Sequence, residues 1–199
     1  MNPASSLESG ARHVVATLQA AGFEALYAGG CVRDMLRKIP PHDYDIATSA
    51  RPDQVQALFP RTIAIGAHFG VISVLLSGNE YQVATFRSDG AYSDGRHPES
   101  VSFSSAIEDA ERRDFTINGL FYDPITNTLH DHVGGQADLK AGILRAIGDP
   151  VLRFQEDRLR MLRAVRFATT LQFQIDPQTW EAVKSHSAHL HEVLSLIHI

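Results

Sequence analysis

Two aspartates separated by one residue, Asp43 and Asp45, are the side chains of this sequence best suited to bind a divalent cation. In a strand, alternation places both carboxylates on one face, about 6.5–7 Å apart along the chain. Magnesium prefers oxygen ligands, and two carboxylates with a nucleotide triphosphate would complete its octahedron. An isolated Asp-x-Asp pair is more typical of a solvated edge strand, so the assignment depends on neighbouring motifs.

A pair of glycines precedes these aspartates, and Gly29-Gly30 is followed by Arg33 at a predicted junction of strand and helix. Glycines allow a ligand to approach the backbone, and the first N–H groups of a helix attract phosphate. Arg33 would contact the same phosphates. Alone, a glycine pair before a helix more often marks a tight turn. Coupled with the aspartates, it indicates a nucleotide site.

A third group, the charged run 111–114, is predicted on a helix, from which Arg112 and Arg113 would reach phosphate or ribose in a cleft. A surface cluster of ion pairs explains this run equally well.

A fourth group occupies 156–166, where Asp157, Arg160 and Arg163 recur every three residues on one predicted helix. A carboxylate and a guanidinium one turn apart present an acceptor and donors to a base edge, and the next arginines would meet a triphosphate. Arg166 lies nominally opposite Asp157, and only its long side chain would bring it back. The alternative is a solvated helix face held by ion pairs.

Several elements must position these groups. The pattern predicts helices over 7–21, 51–59, 105–122 and 149–171, the last with room for a break, and another helix from 176. It also predicts a short helix after Gly29-Gly30 that ends before Pro40. It predicts strands at 25–28, 44–47, 70–76, 80–86 and 143–147. Residues 87–100 lack an apolar period and indicate a mobile surface loop. We therefore expect a mixed helix-and-sheet head at about 1–148, followed by a helical segment.

Composition limits the classes of protein. The chain has 199 residues, 44% of them hydrophobic, with a net charge of −5, so a surface that binds nucleic acid everywhere is excluded. No segment approaches the roughly 20 apolar residues of a membrane span, and no signal peptide is recognisable, which favours a cytoplasmic protein. The lone cysteine, Cys31, is expected to be buried rather than reactive.

Five segments together resemble the class II tRNA nucleotidyltransferase (CCA-adding enzyme) and bacterial poly(A) polymerase family. They are GGCVRD at 29–34, DYD at 43–45, ERRDFTING at 111–119, VGGQADL at 133–139 and RFQEDRLRMLRAVRFA at 153–168. The resemblance implies an α+β fold, a polymerase-beta-like nucleotidyltransferase head with a mixed sheet and flanking helices. An all-helical neck would begin at 149, giving domains 1–148 and 149–194.

The same resemblance implies roles for single residues. Asp43 and Asp45 correspond to the catalytic metal-binding pair, with Mg²⁺ as cofactor. The nucleotide-binding positions are Gly30, Arg33, Arg113, Asp157, Arg160, Arg163 and Arg166, of which Asp157 and Arg160 would recognise the incoming base. Asp114 would support this site, and a loop containing Asp94, Arg96 and Pro98 resembles the family's flexible loop.

The implied reaction is template-independent addition of CMP and AMP, from CTP and ATP, to the 3′ end of tRNA. CC-only, A-only and bacterial poly(A) addition share these motifs; the short connection from Phe86 to Val101 favours CCA addition over poly(A) polymerase. A truncated, noncatalytic nucleotide- or RNA-binding head is the alternative from another class. The ending 195–199 resembles translated adapter sequence, so we expect a non-native tail on a longer natural protein. No pattern sets an oligomeric state.

Overall fold

The computed structural model describes residues 3–66, 69–92, 95–96 and 98–191. Its helices are α1 (Pro3–Ala20), α2 (Gly30–Leu36), α3 (Pro52–Leu58), α4 (Ala106–Glu111), α5 (Gly135–Ala141), α6 (Pro150–Glu156), α7 (Leu159–Leu171) and α8 (Pro177–His186). Its strands are β1 (Ala25–Ala28), β2 (Ile46–Thr48), β3 (Thr62–Gly66), β4 (Val71–Leu76), β5 (Asn79–Thr85), β6 (Arg87–Asp89), β7 (Val101–Phe103), β8 (Leu120–Asp123), β9 (Thr128–Asp131), β10 (Ile143–Leu144) and β11 (Gln174–Ile175). Residue 94 of the predicted flexible loop and the predicted tail 195–199 lie outside the described residues.

The main sheet has seven strands in the order β3-β4-β5-β2-β1-β8-β9. β2 and β5 pair in parallel, and the other neighbours pair antiparallel. Helices flank this mixed sheet, which confirms the predicted α+β fold. Among the described residues, no helix is long and apolar enough to cross a bilayer.

Alternation along the central strands divides the core between the two faces of the sheet. Tyr27 and Ile46 belong to a cluster that includes Val14, Val15 and Leu18 of α1. Leu26 and Ala47, the neighbouring residues, belong to a second cluster with Ala106 and Ala110 of α4. Since successive strand side chains point to opposite faces, β1 and β2 are covered on both sides.

A third cluster joins the sheet region to the helices that follow it. It contains Phe115, Ile117 and Leu144 together with Phe154 of α6 and Met161 of α7. β10 also pairs in parallel with β11, so backbone hydrogen bonds accompany this packing. The helices after 149 are therefore held firmly against the residues that carry motifs 111–119.

Several predicted elements are corrected. The helix predicted over 105–122 ends at Glu111; a 3-10 turn follows at Thr116–Asn118, and Leu120–Asp123 is strand β8. Pairing with β1 decides this, because β8 fills the position beside that buried strand. The strand predicted at 44–47 is Ile46–Thr48, and the one at 143–147 is only Ile143–Leu144.

The segment predicted as a loop at 87–100 also contains regular structure. β6 opens it and pairs antiparallel with β7. Strand β3 and helix α5 were not predicted, because their short segments carry little apolar periodicity. These elements extend the sheet and its cover but contribute no residue to the site described next.

Candidate active site

A cavity of about 590 Å³ is lined by residues of α2, of the segment before β2, of 112–118 and of α7. All nine residues singled out by the sequence line it: Gly30, Arg33, Asp43, Asp45, Arg113, Asp157, Arg160, Arg163 and Arg166. The volume is in the range of small-molecule sites. The fold therefore brings together motifs that lie more than a hundred residues apart in the chain.

The two aspartates lie in an extended segment that precedes β2 rather than within the strand. Tyr44 between them is 5% exposed and packs in the core, whereas Asp43 and Asp45 are both exposed toward the cavity. The amide of Ala28 donates to the Asp45 carbonyl at 2.9 Å, which fixes the segment beside β1. The predicted same-face arrangement of the two carboxylates follows from this alternation.

The electrostatic environment of Asp45 disfavours its charged form. Desolvation by the surrounding cleft and, secondly, the nearby Asp43 carboxylate raise its pKa, and Arg113 opposes them. Within the described part of the chain, neither carboxylate accepts a side-chain hydrogen bond, so both retain free oxygen ligands. A cation between them would relieve this repulsion.

Gly29 makes the turn from β1 into α2. Its φ of 70° and ψ of −122° lie in a region that residues with a side chain rarely adopt, and a Cβ there would lie 3.1 Å from Nη1 of Arg113.

Cys31, in α2, is 1% exposed, and burial raises the pKa of its thiol to about 12. The prediction of a buried cysteine is confirmed.

Arg33 projects from α2 and is oriented by two polar partners. Its Nε donates to Asp34 Oδ1 at 2.9 Å, and its Nη1 donates to Asn118 Oδ1 at 2.9 Å. The guanidinium is thus held in the cavity wall, where it can meet an anion.

Arg112 and Arg113 share the carboxylate of Asp109, which is 1% exposed. Arg112 donates to its Oδ1 through Nη2 at 2.6 Å, and Arg113 donates to its Oδ2 through Nη2 at 2.8 Å. Both arginines follow the end of α4 instead of lying on it, which corrects the predicted helical placement of 112–114. The two arginines form ion pairs, as one interpretation of this run expected. They also line the cavity, as the other interpretation expected.

Asp157 lies at a break between two helices. The placement of 156–166 on one helix is therefore wrong, and the break that the pattern allowed within 149–171 falls at this residue. α6 ends at Glu156, and Asp157 adopts extended dihedral angles, φ −138° and ψ 102°. Its Oδ1 accepts from the Leu159 amide at 3.0 Å, which starts α7. Burial raises the pKa of Asp157, and the Leu159 amide and Arg160 oppose this.

The arginines of α7 differ in how many hydrogen bonds their guanidiniums already donate to other residues of the protein. Arg160 is 7% exposed and donates to Glu156 and to the Arg112 carbonyl, at 3.0 and 3.1 Å. Arg166, whose predicted position on a straight helix was unfavourable, lines the cavity, and its side chain donates no hydrogen bond within the described residues. On one straight helix, Arg166 would lie opposite Asp157. This angle does not apply, because Asp157 precedes α7 and is not part of it.

Sequence reasoning missed Asn118 and Phe167, which also line the cavity. Asn118 is 7% exposed and connects Arg33 to Asp114, to which its Nδ2 donates at 3.1 Å. Phe167 lies beside three guanidiniums. Both residues fall inside the motif segments, and a buried amide or an aromatic four residues after Arg163 is the signal available in the sequence.

Comparison with known proteins gives a consistent result. A sequence model described as the Poly A polymerase head domain matches residues 25–145. The CCA-adding enzyme of Levilactobacillus brevis is 47% identical over 184 residues, covering 92% of this chain and 46% of the relative. The CCA-adding enzyme of Limosilactobacillus fermentum is 44% identical with the same coverage. The chain thus spans about half the length of the curated relatives it matches.

A solved structure supports the fold assignment. The Bacillus stearothermophilus CCA-adding enzyme in complex with CTP superposes with a TM-score of 0.84 at 39% identity, covering 96% of this chain and 45% of that one.

Proposed function

Because this chain belongs to the family of poly(A) polymerase head domains, we propose that it is the nucleotidyltransferase head, at 1–148, and the start of the helical neck, at 149–194, of a CCA-adding enzyme. Such an enzyme transfers CMP and AMP from CTP and ATP to the 3′ end of tRNA without a template. Relatives at 44–47% identity carry the name CCA-adding enzyme, and we place the reaction in the cytoplasm.

One observation carries the proposal: the carboxylate pair Asp43 and Asp45 shares a cavity with six arginines. Free carboxylate oxygens suit a divalent cation, and guanidiniums suit phosphate. A nucleoside triphosphate with its cation needs both in one place. A binding module for an uncharged ligand would need neither.

The donor set fits a cation that arrives with its nucleotide. Among the described residues, no group of three or more His, Cys, Asp or Glu side chains is placed to hold a metal ion. Asp43 and Asp45 would therefore supply two ligands, and phosphate oxygens and water would supply the others, the arrangement typical of Mg²⁺. When bound, the cation would neutralise phosphate charge and favour ionisation of the RNA 3′-hydroxyl.

The remaining residues bind and orient the nucleotide. Gly30 gives the phosphates close access to the backbone, and Arg33, Arg163 and Arg166 offer charge to the triphosphate. Asp157 and Arg160, held next to one another at the start of α7, present an acceptor and donors to the base. Arg113 contacts the nucleotide from the side of β1.

The reaction follows from this placement. The 3′-hydroxyl oxygen bonds to the α-phosphorus as the bond from that phosphorus to the bridging oxygen breaks; the hydroxyl proton passes to water, and pyrophosphate leaves. Asp43 and Asp45 would hold the cation, and the arginines stabilise charge on the leaving pyrophosphate.

The test is incorporation of labelled CTP and ATP into tRNA lacking CCA, with magnesium and with a chelator. We expect two cytidines and then one adenosine, and a loss of more than about a hundredfold in the Asp45→Ala variant. Asp53→Ala, an exposed carboxylate outside the cavity, is the matched control. Long adenosine tails would instead identify a poly(A) polymerase. CTP binding without incorporation, or full activity of folded Asp45→Ala, would contradict the catalytic assignment.

A further inference from the structure

Phe167 lies beside guanidiniums from both sides of the cavity. The Cζ atoms of Arg166, Arg163 and Arg33 are 4.9, 5.3 and 5.5 Å from its ring centroid. Arg33 belongs to α2, whereas Arg163 and Arg166 belong to α7. The face of an aromatic ring carries partial negative charge and attracts cations within about 6 Å. One ring therefore contacts cations from two separate elements.

These arginines depend on the ring to different degrees. Arg33 is also held by Asp34 and Asn118, and Arg163 by Asp114 at 2.6 Å. In the described part of the chain, the side chain of Arg166 forms no hydrogen bond or ion pair, and its contact with Phe167 is the interaction that orients it. All N–H groups of the guanidinium are thus available to a ligand.

The ring itself is fixed by the core beneath it. Phe167 packs against the third core cluster and meets Phe115 edge to face, with centroids 6.0 Å apart. Phe115 is fully buried. An anchored ring gives the guanidiniums a rigid surface, which lowers the entropy lost when they bind an anion.

We propose that Phe167 is a positioning residue for the triphosphate of the incoming nucleotide. It holds Arg33, Arg163 and above all Arg166 close together, against their mutual repulsion, so that their charges converge before the polyanion arrives. This inference rests on the proposed function and deepens it. Phe167 acts through the arginines and takes no part in the bond changes.

The chain offers a matched control of the same chemistry away from the cavity. The Cζ of Arg37 lies 5.5 Å from the ring centroid of Phe173, and Phe173 packs against the same core cluster. Neither residue lines the cavity. Phe173→Leu therefore removes a comparable ring and a comparable cation contact without changing the proposed site.

The experiment titrates inorganic tripolyphosphate, CTP and cytidine, each with magnesium, against the unsubstituted chain and the Phe167→Leu, Phe167→Tyr and Phe173→Leu variants. Leucine at 167 should weaken tripolyphosphate and CTP binding about fivefold, since a cation–π contact with an exposed guanidinium such as that of Arg166 is of that order. Tyrosine retains the ring and should stay within about twofold. Cytidine, which has no phosphate, should bind all variants equally. In the incorporation assay, KM for CTP should rise more than kcat falls.

A second variant keeps the test independent of folding. Phe167→Met is close in volume and replaces Phe167→Leu if the latter unfolds. In an Arg166→Ala background, the loss caused by the Phe167 substitution should shrink, because the two residues act together. Unchanged tripolyphosphate affinity, or an equal loss in Phe173→Leu, would overturn the role of Phe167 and leave the proposed function standing. Failure of the unsubstituted chain to bind CTP and tripolyphosphate would overturn both.

Discussion

The Nη2 atom of Arg163 lies 2.6 Å from Oδ2 of Asp114, and this ion pair joins α7 to the segment that follows α4. The other carboxylate oxygen of Asp114 accepts from the Phe115 amide at 2.8 Å and from Asn118 at 3.1 Å. Asp114 therefore connects the start of the predicted neck to the residues that orient Arg33. The contact between α7 and the segment after α4 therefore coincides with the arginine wall of the cavity.

We expect Asp114→Asn to lower the free energy of unfolding by about 1 kcal/mol, a value reduced because the Arg163 side chain is partly exposed. The amide can keep the bonds to Phe115 and Asn118 but loses the ion pair with Arg163. Urea denaturation measures this. Glu181→Gln, which breaks an exposed pair with Lys184, should change stability little. Equal effects of the two substitutions would contradict a specific role for Asp114.

Replacing Asp157 should alter the choice between CTP and ATP. In Asp157→Asn, the side-chain oxygen can still accept from the Leu159 amide, so α7 should start normally, but the charge facing the base is lost. The ratio of kcat/KM values for the two nucleotides should shift about tenfold.

Asp149→Asn is the control for this change. Asp149 caps α6 through the Val151 amide at 2.8 Å and does not line the cavity. Its substitution should leave the nucleotide ratio unchanged. An unchanged ratio in Asp157→Asn as well would remove the base-recognition role of Asp157.

Stability should depend on pH through Asp109. Burial alone raises its pKa, but Arg113 and Arg112 outweigh burial, and the pKa lies below its ordinary value. Its stabilising contribution is therefore full above the pKa of the unfolded state, near pH 4, and is lost as pH falls through the folded-state pKa. Asp109→Asn should cost about 3 kcal/mol at neutral pH, since it removes the carboxylate charge that pairs with two largely buried guanidiniums.

Urea denaturation of both proteins at pH 7 and at about pH 3 tests this, and the difference between them should shrink at the lower pH. Asp53→Asn, at an exposed position of α3, should show little difference at either pH. A difference from Asp109→Asn that persists unchanged in acid would contradict the assigned charge state.

Alanine substitutions at two glycines with positive φ distinguish the cost of backbone strain from an effect on nucleotide binding. A Cβ at Gly29 would lie 3.1 Å from Nη1 of Arg113, whereas a Cβ at Gly22, where φ is 88°, meets nothing within 4 Å. Gly29→Ala and Gly22→Ala should each lose about 1–2 kcal/mol of stability. Only Gly29→Ala should weaken CTP binding, as measured by calorimetry. Equal CTP affinity in the two variants would show that Arg113 tolerates the displacement.

Local sequence patterns were sufficient to predict an element where its apolar spacing matches the buried face or its turn residues match the backbone conformation. The apolar face of α1 was predicted, and Val14, Val15 and Leu18 are fully buried. The turn between β4 and β5 was also predicted, and Ser77 and Gly78 both have positive φ, as a tight hairpin requires. The helix predicted over 105–122 was wrong in its last part, because β8 forms a strand by pairing with β1. Local sequence periodicity does not indicate such pairing.

The sequence by itself determined which residues carry charge and ligand atoms, because the motifs specify residue types at short spacings. All nine residues that it singled out line one cavity. Only the tertiary structure decided which arginine side chains are already hydrogen-bonded to other residues of the protein. Each of Arg33, Arg160 and Arg163 has a partner far along the chain, 85, 48 and 49 residues away. Hydrogen bonds over such separations depend on how β8 and α7 pack, and helical periodicity, which relates residues three or four apart, contains no information about them.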